Sequence, residues 1–209
     1  MTDTKILLTS DPQCIPMAKQ ILEMDGVIAF PTDTIYGVAA NAFSQSGIEK
    51  IYQAKQRPDE KALPVLIADM AQLESLVSEI SDHVRRIAEA FWPGALTLIL
   101  PKAPDLPANL SAYPTIGVRM PDLDFTLALL SETGPLATTS ANISGGPNPT
   151  SAQDVLDQLG GKINLLLDGG PTPGPTASTV VDATTKEIKI LRHGPITLSQ
   201  LQSIAAGRK

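Results

Sequence analysis

The 209-residue chain has few of the residues that cross-link small proteins or bind structural metals. Its single cysteine, Cys14, excludes an internal disulfide. Its two histidines, His83 and His193, are too few for a conventional structural zinc site. A domain of this size buries most of the surface that its unfolded chain exposes, so we expect it to fold without a disulfide or a metal.

The sequence also has no excess of basic residues and no long apolar run. A formal net charge of −6 argues against a surface that is basic throughout and coats nucleic acid, but it allows a local basic cleft. No stretch approaches the roughly 18 apolar residues of a membrane span. The N-terminus, MTDTKILLTSD, carries acids where a secretory signal needs an apolar core. We therefore expect a cytoplasmic protein that makes no membrane contact.

Apolar segments of strand length alternate with amphipathic segments of helix length. This alternation predicts an α/β (α+β-like) fold, with helices packed on one mixed sheet. Strands are predicted at 5–9, 27–31, 63–68, 96–100, 115–120, 136–139, 165–168, 179–182 and 187–191. Helices are predicted at 15–24, 47–55, 70–77, 82–91, 125–133, 151–159 and 198–205.

The Pro/Gly stretch GGPTPGP at 169–175 is the best candidate for a domain boundary. Only about 35 residues follow it, which are too few for a second hydrophobic core. We therefore expect a single domain over 1–209, with its core at about 8–200.

The segment PTDTIYG at 31–37 places three small polar side chains and a tyrosine at the end of a predicted buried strand. Ligands of α/β proteins commonly bind at strand ends. Hydroxyl groups there can accept a hydrogen bond from an ammonium or donate one to a carboxylate. Taken alone, the segment is equally compatible with a capped turn.

Three cations, Lys55, Arg57 and Lys61, lie within seven residues. Lys55 follows Ile51 by four residues and Ile48 by seven, so it projects from the apolar face of its helix. A cation directed inward needs an anionic partner. The pattern favours a polyphosphate or carboxylate ligand over the alternative, a lysine that stabilises a helix C-terminus.

Strand alternation places Thr115, Gly117 and Arg119 on one face of a predicted strand. Gly117 leaves room between a hydroxyl and a guanidinium, which suits a ligand lying flat on the strand. The alternative is an exposed strand face that carries one surface arginine.

The segment 138–150 combines five hydroxyl residues with two asparagines and two glycines after a short apolar strand. Small donors and exposed backbone N–H groups suit a phosphate or adenosine ligand. The segment is not a P-loop, because the Gly-Lys-Ser/Thr ending is missing. The alternative is a long turn built on Asn and Ser side chains.

A fifth group lies near the C-terminus. Ser178 starts a strand after the Pro/Gly stretch, and alternation places Arg192 on the same face as Ile188 and Ile190, at the end of an apolar row. Three aspartates could contact magnesium, although capping and turn roles are commoner: Asp33, Asp168 and Asp182.

Together these segments resemble the YrdC-like family, specifically the short threonylcarbamoyl-AMP synthases (TsaC type). The motifs occur in family order over nearly the whole chain, and this order is more specific than any single motif. The matching motifs are PTDTIYG at 31–37, KQR at 55–57 with Lys61, GVRMP at 117–121, TSAN at 139–142, STVVD at 178–182 and LRHG at 191–194.

The resemblance implies a twisted mixed sheet with a concave basic cleft. It also implies a nucleotidyltransferase that condenses L-threonine, bicarbonate and ATP to threonylcarbamoyl-AMP and pyrophosphate. The product would supply the N6-threonylcarbamoyladenosine modification of tRNA at position 37, through a separate transferase complex. Mg²⁺ is expected with ATP. Because the chain ends shortly after LRHG, we expect the extra C-terminal domain of longer members to be absent.

The resemblance also assigns site residues, none of them a metal ligand. Lys55 and Arg57 would be catalytic. The implied ATP contacts are Arg57, Lys61, Thr115, Ser140, Asn142, Asn148 and Arg192. The implied threonine contacts are Thr34, Arg119, Thr138 and Ser178. Leu66 stands where some longer relatives carry a histidine near threonine.

Three alternatives remain open from the sequence. The first is a non-catalytic module that binds double-stranded RNA or tRNA through a basic face. The second is a paralogue of the same fold with another substrate. The third is a carbamoyl-transfer module like that of hydrogenase maturation proteins, which is normally part of a much longer chain with zinc fingers.

Overall fold

The computed structural model describes residues 3–56, 62–174 and 178–207. Within these ranges the strands are β1 (Lys5–Leu8), β2 (Ile28–Phe30), β3 (Gly37–Asn41), β4 (Val65–Leu66), β5 (Leu96–Pro101), β6 (Thr115–Arg119), β7 (Leu136–Ser140), β8 (Leu165–Asp168), β9 (Thr179–Asp182) and β10 (Lys189–Arg192). The helices are α1 (Cys14–Glu23), α2 (Gln45–Lys55), α3 (Met70–Glu74), α4 (Asp82–Phe91), α5 (Asp124–Thr133), α6 (Ala152–Leu159) and α7 (Leu198–Ala205), with a 3₁₀ turn at Ala108–Leu110.

The described strands form one ten-stranded sheet in the order β1-β8-β2-β3-β7-β4-β6-β5-β9-β10. The sheet is mixed: β1–β8, β2–β8, β4–β6 and β5–β9 pair in parallel, whereas β2–β3, β3–β7, β4–β7, β5–β6 and β9–β10 pair antiparallel. The predicted class, helices packed on a mixed sheet, is confirmed. No helix among the described ranges has the length and apolar character needed to cross a membrane.

Strand β3 was not predicted from the sequence. Its residues, GVAAN, are small and almost all buried, so they show no alternation of polar and apolar side chains. The strand nevertheless places the end of the PTDTIYG segment in the middle of the sheet, between β2 and β7.

Two predicted elements are shorter in the structure. The strand predicted at 63–68 is reduced to β4, because Pro64 has no N–H group and the backbone N–H of Leu63 donates to Leu110 instead of a neighbouring strand. The helix predicted at 70–77 ends at Glu74, where Ser75 and Leu76 donate to Gln72 and Leu73 in tighter i→i−3 bonds.

One face of the sheet is covered by the larger hydrophobic core, to which α2, α4, α6 and α7 contribute. On β6, Ile116 and Val118 are buried in this core, as the alternation of that strand predicted. The buried positions of β5 in the same core are Leu96, Leu98 and Leu100.

The opposite face is covered over only part of its width. Helices α1 and α5 pack there on β2, β8 and the start of β7, in a second apolar cluster that includes Leu22, Phe30, Leu130, Leu136 and Leu165. We call this part of the face the covered half. The remainder, carried by β4, β5, β6, β9 and the end of β7, is the open half, and it contains a cavity.

Candidate active site

The cavity in the open half has a volume of about 510 Å³, which is in the range of small-molecule sites. Its described lining is rich in small hydroxyl groups, which are those of Thr32, Thr34, Thr97, Thr138, Thr139, Ser140 and Ser178. Two arginines, Arg119 and Arg192, also line it. Apolar side chains such as Leu66, Ile99 and Val180 complete the floor. Such a lining is suited to a polar, anionic ligand.

Two glycines leave the floor of the cavity open. A Cβ atom on Gly37 would lie 2.9 Å from Cγ2 of Thr138, which is too close for a carbon–carbon contact. A Cβ atom on Gly117 would lie 3.1 Å from Cγ2 of Thr97 and 3.2 Å from Cδ1 of Ile99. Each glycine therefore lets a neighbouring threonine lie close against the sheet.

The turn after β2 holds the hydroxyl group of Thr34 in a defined orientation. The Thr32 hydroxyl donates to the carbonyl oxygen of Ile35 at 2.7 Å, so the 3.0 Å contact between Thr32 Oγ1 and Thr34 Oγ1 has Thr34 as its donor. Thr32 Oγ1 also accepts from the backbone N–H of Thr34 and of Ile35. Because Thr34 Oγ1 donates its hydrogen to Thr32, its lone pairs remain available as acceptors.

Arg119 lies beside this turn and is almost completely buried, with 8% of its surface exposed. Its Nε donates to the carbonyl oxygen of Gly94 at 3.0 Å. One terminal nitrogen, NH2, donates to both carboxylate oxygens of Asp33 at 2.7 and 2.6 Å. The other, NH1, lies 3.4 Å from Thr34 Oγ1. The guanidinium plane is thus held from two sides, with NH1 beside the hydroxyl that lines the cavity.

The prediction for the direction of Arg192 is wrong. A β-bulge interrupts β10, because Ile190 pairs with Val181 and Arg192 pairs with Val180, which leaves Leu191 as the extra residue. Ile190 therefore packs against the larger core, while Arg192 lies with Val180 on the cavity side. Simple alternation would have left Arg192 on the face of Ile188 and Ile190.

Ser178 holds Arg192 in place at the edge of the cavity. Nε and NH2 of Arg192 donate to the carbonyl oxygen of Ser178 at 3.1 and 3.0 Å, and NH2 also lies 2.9 Å from Ser178 Oγ. Ser178 Oγ lies 2.8 Å from Oγ1 of Thr97 on β5. These contacts join three strands around one hydroxyl pair.

The charges of the two arginines are compensated differently. Arg119 forms a salt bridge with Asp33. Among the residues that the structure describes, none forms a salt bridge with Arg192. Burial lowers the pKa of Arg192, and the positive charge of Arg119 lowers it further. An arginine remains protonated at neutral pH in spite of such shifts. The Arg192 side of the cavity therefore carries a positive charge that an anionic ligand would compensate.

Lys55 is buried, as its position on the apolar helix face predicted, with 1% of its surface exposed. Its ammonium donates to the carbonyl oxygen of Ser140, to that of Asn142 at 2.5 Å and to Asn142 Oδ1 at 3.4 Å. Lys55 is not among the described residues that line the cavity. It acts on the cavity wall through the segment 140–142, whose Ser140 hydroxyl donates to Asn142 Oδ1 at 2.5 Å.

The cavity brings together seven of the residues that the sequence nominated as ligand contacts: Thr34, Arg119, Thr138, Ser140, Asn148, Ser178 and Arg192. Thr115 and Asn142 are described, but neither is among the residues that line the cavity. Asn142 instead donates from Nδ2 to the carbonyl oxygens of Ile143 and Gly146 at 3.0 and 2.8 Å. Arg57 and Lys61 lie outside the described residues.

Thr32 and Thr97 were not predicted to be site residues, and the pairing of Asp33 with Arg119 was not predicted either. Thr97 had a detectable signal, because it is a lone hydroxyl between Leu96 and Leu98 on an otherwise apolar strand. The pairing of Asp33 with Arg119 joins positions 86 residues apart and has no local signal.

Tyr36 joins the turn before β3 to the Pro/Gly loop after β8. Its hydroxyl donates to the carbonyl oxygen of Gly170 at 2.7 Å and accepts from the backbone N–H of Gly169 at 3.1 Å. Burial raises the pKa of the Tyr36 hydroxyl to about 12. The neutral tyrosine thus anchors the loop next to the cavity.

Comparison with known proteins identifies similar chains. The family model for Sua5, YciO and YrdC proteins, described as telomere recombination, matches residues 20–194. The threonylcarbamoyl-AMP synthase of Bacillus subtilis (strain 168) is 44% identical over 204 residues, which cover 96% of this chain and 59% of that protein. The threonylcarbamoyl-AMP synthase of Pyrococcus abyssi (strain GE5 / Orsay) is 40% identical, covering 91% of this chain and 56% of that protein.

A solved structure of P. abyssi Sua5 complexed with L-threonine superposes on this chain with a TM-score of 0.88 at 36% identity. The match covers 98% of this chain and 60% of that one. The chain thus spans a little over half the length of these relatives, and the fold extends over nearly all of it.

Proposed function

The chain belongs to the Sua5/YciO/YrdC family, and we propose on that premise that it is an L-threonylcarbamoyladenylate synthase, a nucleotidyltransferase. The observation that carries the proposal is the cavity itself. Separate segments of the sequence, from Thr34 to Arg192, contribute hydroxyl groups, an asparagine and two arginines to one cavity. The names of the similar proteins support the same activity.

Threonine is proposed to bind at the Arg119 side of the cavity. Its carboxylate would receive hydrogen bonds from NH1 of Arg119, the end of the guanidinium beside Thr34. The hydroxyl hydrogens of Thr34 and Thr138 are donated within the protein, so their oxygens would accept hydrogen bonds from the amine and hydroxyl of the amino acid, with the Ser178 hydroxyl as a further polar group. The buried ion pair with Asp33 keeps this side of the cavity close to neutral before the ligand arrives.

ATP is proposed to bind at the Arg192 side, where the uncompensated guanidinium favours phosphate. Ser140 and Asn148 also line the cavity and are proposed nucleotide contacts, and Asn142, held by Lys55, shapes the turn that follows Ser140. Thr115, Arg57 and Lys61 remain proposed ATP contacts, and the last two lie outside the described residues. Mg²⁺ is proposed to enter as part of the ATP complex.

The proposed reaction has two steps and needs no covalent enzyme intermediate. The amine of threonine attacks the carbon of bicarbonate and water leaves, which gives a carbamate. A carbamate oxygen then attacks the α-phosphorus of ATP, and pyrophosphate leaves. Because threonine, bicarbonate and ATP all carry negative charge, catalysis would consist mainly of positioning and of charge stabilisation by the arginines.

Lys55 supports the proposed reaction from behind the cavity wall. A buried ammonium that holds two carbonyl oxygens and a side-chain oxygen fixes the backbone of 140–142. Its removal would leave those oxygens without their donor, and Ser140 would lose its position. These contacts support a positioning role for Lys55, and its direct catalytic role remains a prediction.

The product would pass to a transferase complex that modifies tRNA at position 37, in the cytoplasm. The rival interpretation, a non-catalytic RNA-binding module, has less support, because the similar proteins bear synthase names and the net charge is −6.

Product analysis tests the proposed activity. The protein is incubated with ATP, Mg²⁺, L-threonine and bicarbonate, and the products are identified by mass spectrometry, with each substrate omitted in turn and with serine in place of threonine. We expect threonylcarbamoyl-AMP and pyrophosphate only when threonine, bicarbonate and ATP are all present. Wild-type protein that releases no threonine-dependent pyrophosphate would contradict the proposal.

Charge reversal at the KQR motif supplies the matching variants. Arg57→Glu should abolish pyrophosphate release, because a carboxylate there would repel phosphate. Lys55→Glu should also abolish it, because a carboxylate would repel the carbonyl oxygens of Ser140 and Asn142. Lys50→Glu, an exposed position on the same helix, is the matched control and should keep activity. Full activity in both motif variants would overturn the assignment.

A further inference from the structure

Asp33 lies next to the cavity but is not among the residues that line it. Its carboxylate places both oxygens on the same nitrogen of Arg119, at 2.7 and 2.6 Å. The two side chains are 14% and 10% exposed, so water screens this pair only weakly. A partly buried ion pair of this kind needs additional hydrogen bonds to offset its desolvation, and Arg119 makes one to the carbonyl oxygen of Gly94.

The hydrogen-bond donors of Arg119 can be counted. A guanidinium has five N–H groups, one on Nε and two on each terminal nitrogen. The Nε donor is used by Gly94 and the NH2 donors face Asp33. NH1 has one long contact, 3.4 Å to Thr34 Oγ1. The donors left for a ligand are thus on the nitrogen that faces the hydroxyl-lined side of the cavity.

We propose that Asp33 is a positioning residue for recognition of the substrate carboxylate, acting by holding Arg119 so that NH1 faces the ligand. This inference rests on the proposed function, because it assumes that the amino-acid substrate binds at Arg119. Asp33, which orients the guanidinium, is followed directly by Thr34, whose hydroxyl lies beside NH1. One turn therefore positions both groups.

A second consequence of the ion pair concerns the neighbouring cation. Arg119 and Arg192 line the same cavity, so their positive charges repel each other. Desolvation lowers the pKa of Arg192, and the charge of Arg119 lowers it further. Without the carboxylate of Asp33, the guanidinium groups of Arg119 and Arg192 would face one cavity. No other carboxylate among the described residues forms a salt bridge with either of them. Repulsion would then turn Arg119 away from its present direction. Asp33 therefore fixes the direction of the Arg119 guanidinium and offsets part of the positive charge where the substrate carboxylate is proposed to bind.

The variant Asp33→Asn tests this role, because it keeps the size of the side chain and removes the charge. Asp122→Asn is the matched control: it makes the same change at an exposed position three residues after Arg119. Steady-state kinetics are measured by threonine-dependent pyrophosphate release, with threonine and ATP varied separately. We expect the KM for L-threonine to rise about tenfold in Asp33→Asn, while the KM for ATP changes less than about twofold, which separates positioning from a general structural effect.

A ligand lacking the carboxylate isolates the interaction. Calorimetry compares the binding of L-threonine with that of L-threoninamide, and wild-type protein should prefer the carboxylate by about tenfold or more. Asp33→Asn should lose most of this preference because both ligands then meet a poorly oriented guanidinium. Asp33→Glu, which keeps the charge, should restore part of it and remains informative if the asparagine variant is unstable.

The outcomes are distinct. An unchanged or lowered KM for threonine in Asp33→Asn would overturn the inference, and a lowered KM would show that Asp33 competes with the substrate. An equal loss for threonine and ATP would also overturn it, because the role would then be structural. Wild-type protein without threonine-dependent turnover would instead overturn the proposed function, and the role of Asp33 with it.

Discussion

The covered and open halves of one sheet face differ in composition although they belong to one sheet and share strand β7. Strand β7 passes through the two halves: Leu136 at its start is buried under the α1 and α5 helices, while Thr138 and Ser140, two and four residues later, line the cavity. Leu66 on the neighbouring β4 lies at the boundary, because it belongs to the apolar cluster and also lines the cavity.

The polarity of the side chains on this face differs between the part that helices cover and the part that they leave open. Under α1 and α5, apolar residues such as Phe30 and Leu165 bury their surface against a helix. In the open half no described helix covers the equivalent positions, and the sheet carries threonine, serine and arginine. These side chains contribute little to a hydrophobic core, so their concentration there is best explained by a ligand.

Removing a large side chain from the covered half should have the largest effect on stability. Leu130 on α5 is fully buried in the apolar cluster, and Leu130→Ala should lower the free energy of unfolding by about 2–5 kcal/mol. Urea unfolding measures this loss. The KM values for ATP and threonine of the folded protein should stay within about twofold, and a large rise in either would mean that the two halves are not independent.

The complementary change in the open half is Arg192→Gln. It removes the guanidinium held by Ser178, and we expect kcat/KM for ATP to fall about 30-fold, or about 2 kcal/mol. The free energy of unfolding should change little, since Arg192 is exposed and its charge is repelled by that of Arg119. A variant that is strongly destabilised but keeps its kcat/KM would place Arg192 with the structural residues.

Thr138→Val tests a hydroxyl of the cavity with almost no change in shape. Thr138 Oγ1 donates to the carbonyl oxygen of Leu136 at 2.9 Å, so we expect a loss of only about 1 kcal/mol in stability. The KM for L-threonine should rise about fivefold to tenfold, because one polar contact is lost. The control is Thr133→Val on α5 in the covered half, which should leave this KM unchanged.

The smallest expected effect concerns Tyr36 and the pH dependence of stability. The folded-state pKa is about 12 against an ordinary value of 10, so the neutral tyrosine is favoured on folding. Its contribution to stability is complete below pH 10 and is lost as the pH rises from 10 toward 12, because the unfolded chain ionises first. Urea unfolding at several pH values should show a shallower alkaline decline for Tyr36→Phe than for wild type. Identical slopes would contradict the role of burial at this hydroxyl.

Much of the fold follows from residue patterns that act locally. The apolar period of each helix and the alternation along β5 and β6 were sufficient to predict those elements, and the position of Lys55 on its helix predicted its burial. Strand β3 was missed because small residues buried on both faces carry no alternation. Pro64 shortened β4 by removing a donor, an effect visible in the sequence but not used.

The site was less predictable, because its decisive contacts are not local. A one-residue bulge reversed the direction of Arg192, and alternation cannot reveal a bulge. The Asp33–Arg119 pair spans 86 positions and the Thr97–Ser178 pair spans 81. Lys55 was expected to meet an anionic ligand, and its described partners include the carbonyl oxygens of Ser140 and Asn142, which no local pattern reveals. Only the folded sheet brings these groups together.

The central claim is that the open half of the sheet face binds threonine and ATP side by side. A crystal structure of the protein with L-threonine and a non-hydrolysable ATP analogue tests it most directly. The account predicts density for the amino acid at NH1 of Arg119, beside Thr34 and Thr138, with the nucleotide on the Arg192 side. Ligand density elsewhere, or a cavity that stays free of both ligands at saturating concentrations, would contradict it.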